Sequence, residues 1–159
     1  LKNYKVIGSL PYSTALPIIR KFLEVKNPPK LIVVVIQKEV AQKICSKKMS
    51  LVRAAIKFYG EPKIVGYISK KSFFPQPKVD GAILKITNIQ QNTPQVDPKT
   101  FFKFLKAGFA SPRKTILNNL SNKLKLKKEI VKTAEHLYLV LVLIGNLQLK
   151  ENLLNQLLS

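Results

Sequence analysis

Apolar and polar residues change their spacing several times along the chain, and each change predicts an element. Tyr4–Gly8 is short and β-prone, ends at a glycine and is followed by Pro11, so a strand should lead into a tight loop. From Leu16 to Val25 (LPIIRKFLEV) apolar residues recur at helical spacing, with Arg20, Lys21 and Glu24 on the other side. Asn27-Pro28-Pro29 stops that helix. Leu31–Ile36 (LIVVVI) is an unbroken, mostly β-branched run, which predicts a strand buried on both faces, as in the middle of a parallel sheet. Gln37–Lys47 returns to helical spacing, and Ser50–Tyr59 (SLVRAAIKFY) predicts a second short helix closed by Gly60. Lys63–Ser69 and Val79–Asn88 read as strands. They flank the proline-rich segment Phe73–Pro77 and lie close enough to be antiparallel neighbours at a sheet edge.

The order β-α-β-α-α argues for an α/β layered sheet. Residues Ile89–Pro98 are polar and hold two prolines. Asp97-Pro98 suits a helix start, since Asp caps free N–H groups and Pro fits the first turn. Phe101–Leu120 should be helical with a break near Ser111-Pro112, and Leu124–Leu143 and Lys150–Leu158 carry the pattern on. The expected organisation is an α/β portion over residues 1–90, a linker over 91–98 and a small all-helical domain over 99–159.

Charge sharpens this picture. Lys and Arg number 28 against 8 acids, a formal net charge of +20. Residues 1–96 carry 17 basic and 4 acidic residues and residues 97–159 carry 11 and 4, so both parts are basic. Charge spread in this way favours an extended anion, nucleic acid above all, over a single phosphate. A cationic, solvated face is the plainer alternative. One cysteine, Cys45, excludes an internal disulfide and suits a reducing compartment. We read it, like the single His136, as structural. No apolar run reaches the ~18 residues of a membrane span. The chain opens at Leu1 directly on a strand, which leads us to expect a further segment upstream.

Candidate chemistry is sparse. The six glycines form no phosphate or cofactor loop, and no Cys/His metal cluster or Ser-His-Asp set is present. Two aromatic-proline segments remain. Gly8-Ser9-Leu10-Pro11-Tyr12 leaves a strand at its C-terminal end, where open α/β sheets bind ligands. It can present an oxygen acceptor, a proline carbonyl and a tyrosine face. Phe73-Phe74-Pro75-Gln76-Pro77-Lys78-Val79 is stiffened by prolines and can hold an aromatic ring as a stacking platform. Taken singly, the first equally suits a turn with Tyr12 packed inward, and the second a stiff crossover with hydrophobic anchors.

Taken together, the segments resemble the ribosomal RNA adenine dimethyltransferase family. GSLPYSTALPIIRKFLE is similar to that family's motif of Asn, an aliphatic residue, Pro and Tyr followed by a helix. IVVVIQKEVAQKI resembles the next strand and helix, with Gln37-Lys38-Glu39. KKSFFPQPKVDGAILKI resembles the Phe-x-Pro-x-Pro-Lys-Val segment, and FASPRKTILNNL the start of the helical C-terminal domain. The resemblance implies the C-terminal half of a Rossmann-like, S-adenosyl-L-methionine-dependent methyltransferase sheet, followed by a helical RNA-binding domain. It implies a flipped adenine held between Tyr12 and Phe73, with Ser9 and the Pro11 carbonyl accepting from its exocyclic amine. Ser9 and Leu10 would touch the cofactor. Lys78, Arg113, Lys114, Lys123, Lys125, Lys127 and Lys128 would contact phosphates. The implied substrate is a pair of adjacent adenines near the 3′ end of small-subunit rRNA within a pre-30S particle. The implied enzyme is a cytoplasmic monomer without a metal.

Three departures qualify the implication. The family's Asn is Ser9 here, shorter and without amide geometry. The glycine-rich cofactor loop and the acidic residue that holds the ribose lie upstream of the matching stretches. Arg53 stands on the apolar side of SLVRAAIKFY where the family has a small residue, and the tail HLYLVLVLIGNLQLKENLL is only loosely similar. Three readings follow: an active dimethyltransferase, a catalytically impaired rRNA-binding module acting in small-subunit assembly, or a large-subunit adenine methylase of the erythromycin-resistance type.

Overall fold

The computed structural model describes residues 3–48, 50–89, 98–111 and 113–124. The expected helices over Leu124–Leu143 and Lys150–Leu158, and nearly all of the linker, lie outside the described residues. Contacts divide the chain into two compact units: residues 1–48 with 59–93, and residues 49–58 with 94–159.

The first unit is a four-stranded mixed sheet with helices. In chain order it comprises β1 (Lys5–Ser9), α1 (Ala15–Glu24), β2 (Leu31–Gln37), α2 (Lys38–Cys45), β3 (Glu61–Ile68) and β4 (Gly81–Thr87). A 3-10 turn, Lys70–Ser72, opens the connection between β3 and β4. Strand order across the sheet is β1-β2-β4-β3. β2 runs parallel to β1, with Ser9 opposite Val35, and antiparallel to β4, with Val35 opposite Ile83.

The last two strands are antiparallel neighbours at one edge of the sheet, as expected, with β3 outermost and β4 between β3 and β2. A short connection brings β4 back beside β3, and its other edge then pairs with β2. One expectation is corrected. The strand β2 is not buried on both faces: Ile32, Val34 and Ile36 are buried, whereas Leu31, Val33 and Val35 between them are half-buried. β-Branched residues suit either exposure on a pleated strand, so the apolar run did not distinguish a covered face from a half-covered one.

The fully covered face continues onto β4 through Ala82, Leu84 and Ile86. α2 packs against β2, β3 and β4 and buries Ala41 and Ile44. α1 buries Ala15, Ile19 and Leu23 at helical spacing. On its outer side Arg20 pairs with Glu24 one turn on. Burial, and then the Glu24 carboxylate, push the Tyr59 phenol up to about 12, so it stays neutral throughout the physiological range. Asn88 ends β4 in the left-handed region (φ 49°), and its amide donates to Glu61 at 2.9 Å across the sheet edge.

The second unit, as described, comprises α3 (Leu51–Lys57), α4 (Pro98–Gly108) and α5 (Ile116–Leu124). Ser50 caps α3 by accepting from the Arg53 N–H at 3.2 Å. The Phe58 ring stacks on Phe101 with centroids 3.8 Å apart, and Phe102 meets both edge-on. Leu105 on α4 and Leu120 on α5 are fully buried. The expected break falls between α4 and α5, where the Ser111 carbonyl accepts the Lys114 N–H at 3.1 Å.

Candidate functional site

β1 ends at Ser9, whose side chain is exposed and makes no hydrogen bond to another described residue. The chain then turns: the Leu10 N–H donates to the Val35 carbonyl at 3.1 Å, and the Pro11 carbonyl accepts the Thr14 N–H at 3.1 Å. That turn starts α1, and the Pro11 carbonyl also accepts the Thr14 hydroxyl at 3.4 Å, a long bond on an exposed side chain. Tyr12 is half-buried, and its hydroxyl is buried without a hydrogen-bond partner among the described residues. A phenol left unpaired in this way is costly in a finished fold, and water or a bound polar group would relieve it.

The second segment is tied down at both ends. After β3, the Lys71 N–H donates to Ser69 Oγ at 3.3 Å, and the Ser72 and Phe73 N–H groups close on Ser69 and Lys70 carbonyls at 2.9 and 3.3 Å. At the far end, Asp80 Oδ1 accepts the Lys70 N–H at 3.1 Å, so one carboxylate joins the start of the loop to its finish. Lys38, the first residue of α2, holds Asp80 twice: its N–H donates to the Asp80 carbonyl at 3.0 Å, and its Nζ lies 3.6 Å from Oδ2. The Lys38 ammonium also sits 5.5 Å from the centre of the Tyr67 ring. The Lys70 N–H first, and then the Lys38 ammonium, hold the Asp80 carboxyl below its ordinary range.

The loop lays the Phe73 ring over Gly81. A Cβ at Gly81 would come within 3.2 Å of the ring tip and 3.4 Å of Val35 Cγ1. Glycine at this position therefore gives the ring its seat. Val35 is also the register partner of Ser9, and paired residues share a face of the sheet. Val35 thus joins the two segments: its carbonyl anchors Leu10 and its side chain flanks the seat of Phe73. Ser9 and Leu10 thus adjoin Val35 at the end of β1, Phe73 lies over Gly81, which pairs with Gln37 at the end of β2, and neither the Tyr12 nor the Phe73 ring is wholly buried.

With this convergence in view, comparison with known proteins decides the family. The family model described as ribosomal RNA adenine dimethylase matches residues 1–144. The chain belongs to the ribosomal RNA adenine dimethylase family. A ribosomal RNA small subunit methyltransferase A of Dehalococcoides mccartyi is 41% identical over 134 residues, covering 80% of this chain and 45% of that protein. One of Bacillus licheniformis is 43% identical over 129 residues, covering 78% and 44%. The chain therefore spans a little under half the length of these relatives. Among solved structures, a dimethyladenosine transferase from Plasmodium falciparum superposes with a TM-score of 0.69 at 22% identity, covering 87% of this chain and 50% of that one. The 23S rRNA methyltransferase ErmE gives 0.60 at 21%, covering 77% and 51%. These two likenesses establish a Rossmann-like methyltransferase fold.

The other residues singled out in this dimethylase-family chain belong to both units. Lys78 is exposed on the same loop as Phe73. Arg113 and Lys114 are exposed in the α4–α5 turn, and Lys123 is exposed on α5. Lys125, Lys127 and Lys128 lie outside the described residues. Toward S-adenosylmethionine, the described residues offer the Ser9–Leu10 end of β1. A Cβ at Gly8 would meet nothing within 4 Å, so there is room beside that strand end. These positions fit the margin of a cofactor site.

Sequence reasoning missed Asp80 and Gly81, which shape the Phe73 loop, and Asn119 in the second unit. Asn119 is buried, and its amide donates to the Gly108 and Ser111 carbonyls at 2.8 and 2.9 Å, fastening the turn that carries Arg113 and Lys114. A signal for Asn119 existed, because it stands three residues after Ile116, on the helical repeat of an apolar position. Asp80 and Gly81 adjoin the quoted Pro77-Lys78-Val79, but their partners are distant in sequence.

Proposed function

We propose that the protein carrying this chain dimethylates two adjacent adenines in the 3′-terminal hairpin of small-subunit rRNA. The observation that carries this reading is the meeting of the Ser9–Tyr12 turn and the Phe73 ring at Val35, in a chain of this family. Residues 1–90 would form the C-terminal half of the methyltransferase domain, 91–98 its linker and 99–159 an RNA-binding domain. The protein would work as a cytoplasmic monomer on the pre-30S particle.

A flipped adenine is sandwiched between Tyr12 and Phe73 in this mechanism. The Ser9 oxygen and the Pro11 carbonyl accept from its exocyclic amine, the amine taking the place of the long, exposed Thr14 hydroxyl bond to that carbonyl, and so orient the nitrogen lone pair. S-adenosylmethionine, when bound, supplies an electrophilic methyl group. The contribution of this chain is to hold the amine in line and exclude water, and such positioning provides much of the acceleration in a two-reactant transfer. Lys78, Arg113, Lys114, Lys123, Lys125, Lys127 and Lys128 bind phosphates and fix the register of the RNA without reading its sequence.

Ser9 favours a second reading, an impaired enzyme that binds rRNA and acts in assembly, because serine is shorter than the family's asparagine. The large-subunit methylase reading has less support, since the relatives at about 40% identity carry the small-subunit name and ErmE shares only the fold.

The test is methyl transfer from labelled S-adenosylmethionine to unmethylated small subunits, with the glycine-rich cofactor segment in the same polypeptide. Incorporation that disappears in Tyr12→Ala supports the enzyme. Salt-sensitive RNA binding without incorporation overturns it in favour of the binding module.

A further inference from the structure

Two phenylalanines stand side by side in the β3–β4 loop, and the base sandwich uses only the first. Phe73 has an extended backbone, φ −113° and ψ 146°. Successive side chains of an extended chain leave it on opposite sides. Phe73 turns to the sheet and sits over Gly81, whereas Phe74 is 102% exposed. No described side chain covers its ring.

The loop that presents Phe74 is strongly biased in charge. Between residues 70 and 79 it carries Lys70, Lys71 and Lys78 and no acid. Asp80 closes the loop, and its carboxylate is engaged by the Lys70 N–H and the Lys38 ammonium. Pro75 and Pro77 restrict the backbone immediately after the ring. Phe74 is thus a flat apolar ring held out to solvent on a stiff, cationic mount. A protein partner would need an apolar patch to build an interface core, and along this loop the exposed residues besides Phe74 and Pro75 are the polar Lys71, Ser72, Gln76 and Lys78. A nucleobase needs only one ring face, and its backbone is the anion the lysines attract.

We propose that Phe74 is a second stacking platform, taking an unpaired nucleobase of the RNA strand that flanks the adenine captured at Phe73. The proposal rests on the base-capture reading of the site. Two rings on opposite sides of one extended segment would splay two nucleotides apart. One base goes to the sheet for chemistry, and its neighbour stays outside as an anchor.

The experiment uses the full chain and a short RNA hairpin with two adjacent adenines in its loop. One version carries 2-aminopurine at the target position and another carries it at the flanking nucleotide. Stacking on an aromatic ring changes the fluorescence of this base. Phe74→Ala should abolish the change at the flanking position, preserve it at the target position and weaken binding about 10-fold. Phe74→Trp should restore both the signal and the affinity. Because the ring is fully exposed, neither substitution touches the core. If Phe73→Ala erases the target signal while Phe74→Ala alters neither fluorescence nor affinity, the second platform is refuted and base capture stands. If neither variant alters either signal, both readings fail. If Phe74→Ala weakens binding only to the protein-bearing subunit and not to the naked hairpin, the ring belongs to a protein contact and the proposal is overturned.

Discussion

Ser9 and Asp80 carry the most consequence per atom. Ser9 lies at the mouth of β1, where a longer side chain has open space, since its own is exposed. Ser9→Asn should therefore be accommodated and should raise methyl incorporation at least about 10-fold, by extending a planar acceptor toward the amine. An unchanged or lower rate in the transfer assay would show that the serine is suited to its task. Asp80 makes a prediction about pH. Its carboxyl is held low in the folded chain, so the stabilisation it gives the loop is complete above the ordinary carboxylate pKa of about 3.9 and is lost as pH falls through the depressed value. The amide resonance of Lys70, which donates to Asp80, should titrate with a midpoint below about 3.9, and Asp80→Asn should remove the transition. A midpoint at or above the ordinary value would contradict the link. Both aromatic-proline segments were legible as sequence because they are contiguous. The Lys38–Asp80 connection was not, since it joins residues 42 positions apart and neither partner announces the other.

Elements were legible where period and punctuation agreed. α1 has its apolar stripe and its stop at Asn27-Pro28-Pro29, and the expected pause falls between α4 and α5. Strand order was not legible, because the pattern within β4 is the same whether it lies at an edge or inside. Two connections depend on single residues. Gly60 enters β3 where a Cβ would lie 2.9 Å from the Thr87 carbonyl oxygen and 3.0 Å from Ile86 Cγ2. A backbone oxygen in a sheet does not move aside, so Gly60→Ala should cost about 1–3 kcal/mol in urea unfolding of the chain. A loss well under 1 kcal/mol would mean that the β3 entry gives way. Asn119→Ala takes the amide from the Gly108 carbonyl and leaves the Ser111 carbonyl with only the Lys114 N–H, at 3.1 Å. It should destabilise the chain by about 1–3 kcal/mol and speed hydrogen exchange in the α4–α5 turn. Unaltered exchange there would mean that the turn holds without the amide.

For the whole molecule, the excess of basic over acidic residues sets the energetics of partnership. Binding to rRNA should weaken linearly in log Kd against log salt, and removing Arg113 and Lys114 together should lower the slope by about two whatever the RNA sequence. A slope unaffected by the double substitution would free that turn from phosphate contact. Composition alone foretold the basic character. It did not foretell how the sheet ends: β1 pairs on one side with β2 and with no other described strand, and Ile7 on it is 75% exposed. A strand edge that no other described strand pairs, beside an exposed isoleucine, is a template for any extended polypeptide that comes near. In the absence of such a strand, crowding copies of the chain would add to one another along this margin. The same seam that would let a sheet grow is therefore a route to aggregation, with the positive charge of the chain as the force that keeps the molecules apart.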